Sequence, residues 1–208
     1  MSDENVATIQ AAPAAAAGKT MGSQQVKPYI IKTYDRWIIL VLVLVVGWLL
    51  FRPLFAFAVY YRGVSFEHML ALRPAEHYYR KSISVDRHIP EGWLGLGTLQ
   101  AMRAPTSPAD YKDAVETFTR GIENNQKSGA LPWALCRVYY EVGKDYSDAL
   151  NACQRAFAND PANMFAWDYA AWASLHLGHR DQALGYWREA LQRGHTRAAD
   201  FVKQYSPK

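Results

Sequence analysis

Residues 133–190 read WALCRVYYEVGKDYSDALNACQRAFANDPANMFAWDYAAWASLHLGHRDQALGYWREA, and this stretch decides the fold. It repeats itself at a single offset. Trp133 and Trp167 are 34 residues apart, and so are Ala149 and Ala183, Cys153 and Trp187, and Ala156 and Ala190. A fixed period of this length marks stacked supersecondary units, none of which can bury its apolar face alone. Small residues such as Ala149 and Ala183 let antiparallel helices approach. Large ones such as Trp133, Trp167 and Trp187 fill the gaps between successive hairpins.

The pattern extends in both directions. Upstream, Trp93-Leu94-Gly95-Leu96-Gly97 opens another unit, and Ala114, Phe118 and Gly121 form its second half after an insertion around residues 104–108. Further up, Ala75, Tyr79 and Ser82 fit the second helix of a degenerate unit. Downstream, Phe201 lies 34 residues beyond Trp167, in a segment less apolar overall, as a solvent-facing cap should be. The order Trp, Leu-Gly, Tyr, Ala, Phe, Ala, Pro over residues 75–194 resembles the tetratricopeptide-repeat (TPR) family. The resemblance implies an all-α fold: a TPR-type α-solenoid of about three repeats, with a degenerate N-terminal repeat and a C-terminal capping helix. Arg137 stands where Gly97 and Ala171 stand, so the middle hairpin is expected to be splayed or to hold a buried ion pair.

Residues 37–61, WIILVLVLVVGWLLFRPLFAFAVYY, precede the repeats. At 1.5 Å per residue they span roughly 37 Å, enough to cross a hydrocarbon layer of ~30 Å with some tilt. Trp37, Tyr60 and Tyr61 are placed as interfacial anchors. The run starts too late and is too long for a signal peptide. It is therefore read as a single transmembrane helix, making membrane lipid one expected partner. Arg52 is open to two readings, snorkelling to the headgroups or an intramembrane contact with a partner helix. Lys19, Lys27, Lys32 and Arg36 before the span outweigh Arg62 and Arg73 after it, which favours a cytoplasmic N-terminus. The expected layout is a disordered tail (1–28), a membrane anchor (29–61), a degenerate repeat or connector (62–89) and the TPR domain with its cap (90–208). The expected site is a bacterial inner membrane with the repeats in the periplasm.

Net charge is +4, from 23 basic and 19 acidic residues scattered along the chain. Nucleic-acid binders cluster their cations, so no nucleic acid is expected. There is no phosphate loop, nucleophile elbow or zincin motif, and no enzyme, cofactor or small-molecule substrate is expected. His176, His179 and Asp181 lack a fourth ligand, so no metal is expected either. By the family pattern Cys136 and Cys153 face inward on the two helices of the middle hairpin. They are either disulfide-bonded or two buried thiols.

In the TPR family the first helix of each repeat lines a concave groove. Carried over, those positions are Leu94, Thr98 and Ala101; Ala134, Val138 and Glu141; and Asp168, Trp172 and Leu175. They carry no Lys or Arg, so the family's clamp for acidic peptide C-termini is not implied. An apolar groove with Trp172 as anchor suits an amphipathic helix or extended apolar segment, unless the chain fills it itself. The expected function is a membrane-anchored protein-interaction scaffold that docks a protein partner or assembly intermediate. The alternative is a structural subunit of a larger membrane complex, packed through its transmembrane helix.

Overall fold

The computed structural model describes residues 33–206, with side chains from Arg36 onward. The expected tail at 1–28, and Lys19, Lys27 and Lys32, lie outside the described residues. The chain divides into two compact units, Met1–Val41 and Leu42–Lys208, and the solenoid is the second. All regular structure among the described residues is helical: α1 Thr33–His68, α2 Leu72–Val85, α3 Pro90–Arg103, α4 Pro108–Asn124, α5 Ala130–Arg137, α6 Tyr146–Asn159, α7 Met164–His176, α8 Arg180–Gln192 and α9 Ala198–Tyr205. A π-helical turn, Val138–Gly143, continues α5.

Start signals explain four of these helices. Pro90 and Pro108 sit in first turns, where a missing N–H costs nothing. The side chains of Ser107, Asp145 and Asn163 accept from the backbone N–H three residues on, capping α4, α6 and α7. Gly178 and Gly194 end α7 and α8 at φ 81° and 95°, a left-handed conformation that glycine adopts freely.

Helix α1 has two characters. The window Arg36–His68 is long and apolar enough to cross a membrane. Its large apolar side chains are exposed from Trp37 through Phe55, whereas Ala56 and Val59 are buried. The change comes where α2 returns along α1. Ser82 Oγ donates to the Ala56 carbonyl at 2.8 Å, and the Tyr79 hydroxyl donates to Glu67. A Cβ on Gly63 would meet the Tyr79 ring at 2.7 Å, so glycine is what permits this approach. The last turns of α1 and all of α2 thus form the first hairpin. Arg52 is answered within the chain, a solution the sequence does not announce. Its Nε donates to the Val85 carbonyl at 2.6 Å, and its Nη2 lies 3.6 Å from Asp86.

Three further hairpins follow, and the outer two are each closed by one small and one large residue. In α3–α4 the pair is Gly97 and Phe118, with room for no Cβ at Gly97. In α7–α8, Ala171 and Trp187 are both fully buried. The middle hairpin differs: Cys153 replaces the large residue and is disulfide-bonded to Cys136, their Cα atoms 5.2 Å apart. That separation shows the helices are not splayed there. Arg137 also departs from expectation, because its guanidinium is about half exposed and pairs with Glu141 at 3.3 Å on the surface. Facing outward, it needs no room inside.

The tryptophans hold equivalent places. Trp93 Nε1 donates to the Arg87 carbonyl at 2.8 Å, and Trp167 Nε1 to the Pro161 carbonyl at 3.1 Å, each six residues back. Both are buried, while Trp133 is only half-buried. Helix α9 then covers α7 and α8, with Phe201, Val202 and Tyr205 packed on the last core cluster.

Candidate protein-binding groove

Helices α3 and α5 are held in position by the hairpin cores behind them, and their outward faces bound a cleft of about 310 Å3. Five of the nine carried-over groove residues line it: Thr98 and Ala101 on α3, and Ala134, Val138 and Glu141 on α5 and its π turn. Leu94 instead packs against the core.

The third-repeat residues are taken up by the chain itself. Asp168 is buried, with Oδ2 at 2.9 Å from His195 Nε2 in the turn between α8 and α9. Trp172 meets Trp187 at 5.1 Å, Phe201 at 5.2 Å and Tyr205 at 5.7 Å between ring centroids. Leu175 packs in the same cluster. The assignment of Trp172 as a free aromatic anchor is therefore corrected. The offset from Trp167 places it on the groove side, but α9 occupies the space a further repeat would line.

Two exposed side chains replace it. Met102 borders the cleft and is 61% exposed; Phe165, at the start of α7, is also 61% exposed. Phe165 stacks on Trp133 at 6.2 Å, Tyr169 meets Trp133 edge-on at 5.0 Å, and Tyr140 meets Tyr169 at 5.0 Å. These rings continue the apolar wall from α5 onto α7. The available signal is their placement: Phe165 is two positions before the repeat tryptophan, in the first turn of a groove helix.

Charge in the cleft is confined to one linked set. Glu141 accepts from Arg137 and from the Tyr169 hydroxyl. Burial works to raise the Glu141 carboxyl, but the Tyr169 and Arg137 bonds outweigh it and its pKa is lowered. Tyr169 is pushed up to about 12, by burial first and then by its bond to Glu141. The one cation and one carboxylate so neutralise each other, leaving Thr98 as the one other polar side chain among apolar lining residues.

Chemistry of other kinds finds no assembled group. Among the described residues no three His, Cys, Asp or Glu converge as metal ligands. His176 stacks flat on Tyr146 at 4.1 Å, and His179 lies beyond the end of α7, so the two do not share a helix face.

No family model and no curated protein matches the sequence. Solved structures do. The crystal structure of MamA aligns over 69% of this chain and 81% of its own, at 20% identity and TM-score 0.57. TTC0263, a thermophilic TPR protein of Thermus thermophilus, aligns over 71% and 79%, at 15% identity and TM-score 0.55. Pseudomonas aeruginosa PilF aligns over 76% and 79%, at 14% identity and TM-score 0.58. Identities this low speak for architecture alone, and on that ground this chain has the tetratricopeptide-repeat fold, an all-α solenoid.

Proposed function

We propose that the chain is a membrane-anchored docking scaffold whose α3–α5 cleft binds an apolar segment of a protein partner. The observation that carries this is the cleft, lined by apolar side chains apart from Thr98 and the self-neutralised Arg137–Glu141 pair, and flanked by exposed Met102 and Phe165. Exposed apolar surface of this kind marks an interaction site. An amphipathic helix would seat one or two large side chains between Ala101, Ala134 and Val138. A cationic or acidic peptide would find no free counter-charge there.

The anchor is the exposed apolar part of α1. Residues 37–55 amount to roughly 28 Å of helix, close to the ~30 Å of a hydrocarbon layer. The Cys136–Cys153 disulfide supports an oxidising location for the repeats, hence a periplasmic or equivalent face with the N-terminus in the cytoplasm. Solenoids of this fold act through binding, and nothing in the cleft resembles an acid, base and nucleophile set.

A photo-crosslinking residue at Met102 tests the reading in native membranes. Recovery of a discrete crosslinked protein from Met102 but not from exposed Leu191 is expected. Crosslinks no different at the two positions would remove the cleft as the docking site. A second reading, a structural subunit of a membrane complex, is favoured by Gly47. A Cβ there would touch nothing, leaving a notch between Val43, Leu44, Leu50 and Phe51 into which a side chain of another helix could pack. In that case a stoichiometric complex should survive detergent extraction and be lost on Gly47→Leu.

A further inference from the structure

We propose that the edge of the solenoid formed by the α2–α3 and α4–α5 turns is a phospholipid-headgroup site, seated on the bilayer that holds α1. The inference rests on the membrane reading of α1 and adds to it a second, polar point of attachment.

Three observations converge. The first is height. The Arg52 guanidinium binds the Val85 carbonyl and Asp86, which brings the α2–α3 turn down to the level where α1 stops exposing large apolar side chains. A turn held there lies among headgroups rather than in bulk water. The second is continuity. Asn125 Nδ2 donates to the Arg87 carbonyl at 3.1 Å, and His88 Nδ1 lies 3.1 Å from the Asn124 carbonyl. The α4–α5 turn is thereby fastened to the α2–α3 turn at the same level. Asn159 Nδ2 carries the connection on, to the carbonyls of Gln126 and Ser128 at 2.7 and 3.1 Å.

The third is chemistry. An open concavity of about 450 Å3 lies in this edge, lined by Pro90, Asn124, Asn125, Gln126, Lys127 and Ser128. The lining offers the Lys127 ammonium, the Gln126 amide and the Ser128 hydroxyl, and no carboxylate; the Asn124 and Asn125 amides are already donated to the Arg120, Gly121 and Arg87 carbonyls. Arg87 and Lys127 are exposed, while Asp86, the acid of the α2–α3 turn, is buried and engaged by Arg52. Glu91 and Glu123 adjoin the lining in sequence and Asp160 lies against Gly129, so the preference for anions is confined to the concavity itself. Phosphate is the group that suits several N–H and O–H donors with one or two cations. At this height its source is a lipid.

The test uses the full chain in vesicles, with its two native cysteines bonded to each other and one added cysteine carrying a fluorophore. Ala130→Cys reports the edge from just outside the concavity, Leu177→Cys the opposite edge, and Leu44→Cys the interior of the span. Headgroup-labelled nitroxide phosphatidylglycerol should quench the Ala130 label strongly and the Leu177 label little, while a deep acyl nitroxide quenches the Leu44 label. Combining Arg87→Gln with Lys127→Gln should raise the mole fraction of phosphatidylglycerol needed for half-maximal quenching at Ala130 by about fivefold per charge removed. Equal quenching at Ala130 and Leu177, with Leu44 still quenched from within, overturns the headgroup site and leaves the anchor standing. Quenching at Ala130 that is indifferent to both substitutions overturns the assigned donors. A Leu44 label untouched by the deep probe overturns the membrane reading itself.

Discussion

The indole of Trp172 meets that of Trp187 edge to face at 5.1 Å, and Phe201 and Tyr205 of the last helix close against both. This four-ring contact caps the solenoid. Trp172→Ala should therefore cost about 3 kcal/mol, the range for truncating large aromatic core residues. Denaturant titration of the variant checks it. A variant as stable as the parent would return Trp172 to the list of free groove residues.

The disulfide offers a second measurement. Linking positions 17 apart is worth ~3 kcal/mol in the chain-entropy account. Replacing both cysteines with alanine should lower Tm by about 6–12 °C for a chain of this size. Adding reductant to the parent should produce a similar fall. Unreduced, denatured protein should take up no maleimide.

Two glycines predict opposite signs. A Cβ at Gly97 would stand 2.5 Å from the Phe118 ring, and Gly97→Ala should cost about 1–3 kcal/mol through overpacking. A Cβ at Gly185, inside α8, would meet nothing within 4 Å. Gly185→Ala should add about 0.5–1 kcal/mol by restricting the unfolded chain. Comparing the two melts side by side with the parent checks both.

Leu70 ends α1 at φ 59° with its side chain 84% exposed. The N–H of Leu70 bonds the Glu67 carbonyl and that of Ala71 the Phe66 carbonyl, a helix ending that normally carries glycine. Leu70→Gly should raise stability by up to ~1 kcal/mol by relieving the left-handed strain. Unchanged stability would mean the backbone there is not strained.

The cleft wall should show in the pH profile. Tyr169 is raised to about 12, so the stability it contributes is fully present below its ordinary value of 10.0 and is lost as pH rises through about 12. Glu141 is lowered from 4.5, so its contribution is present above 4.5 and fades as pH falls through the lower folded value. The stability difference between the parent and Tyr169→Phe should close at the alkaline end, and that for Glu141→Gln at the acid end. Differences constant with pH would detach both groups from the fold.

What can be read from the chain alone follows physical locality. The 34-residue offset of Trp133 and Trp167 exposes the repeat because helix packing asks for the same small and large residues in each unit. Phe201 at the same offset marks the capping helix. The family offset misplaces Trp172 because it says which face a residue takes, not whether a terminal helix covers that face. The Arg52–Asp86 pair is invisible for a related reason: it forms only once α2 has folded back along α1. Nothing in residues 138–143 announces a π turn, and Arg137 at a position of small residues suggests crowding where the side chain simply points outward.

Since α1 runs from the apolar stretch directly into the first hairpin, the scaffold has a mast instead of a leash. Lengthening a flexible tether would only widen the volume a binding site explores. Inserting one residue among positions 47–51 would do something else: it would turn the whole solenoid by ~100° about the mast and lift it ~1.5 Å. Under the proposed membrane-anchored docking, a partner bound to the same bilayer would then meet the cleft from the wrong bearing, so binding should vary with insertion length in step with the helical period and not with distance.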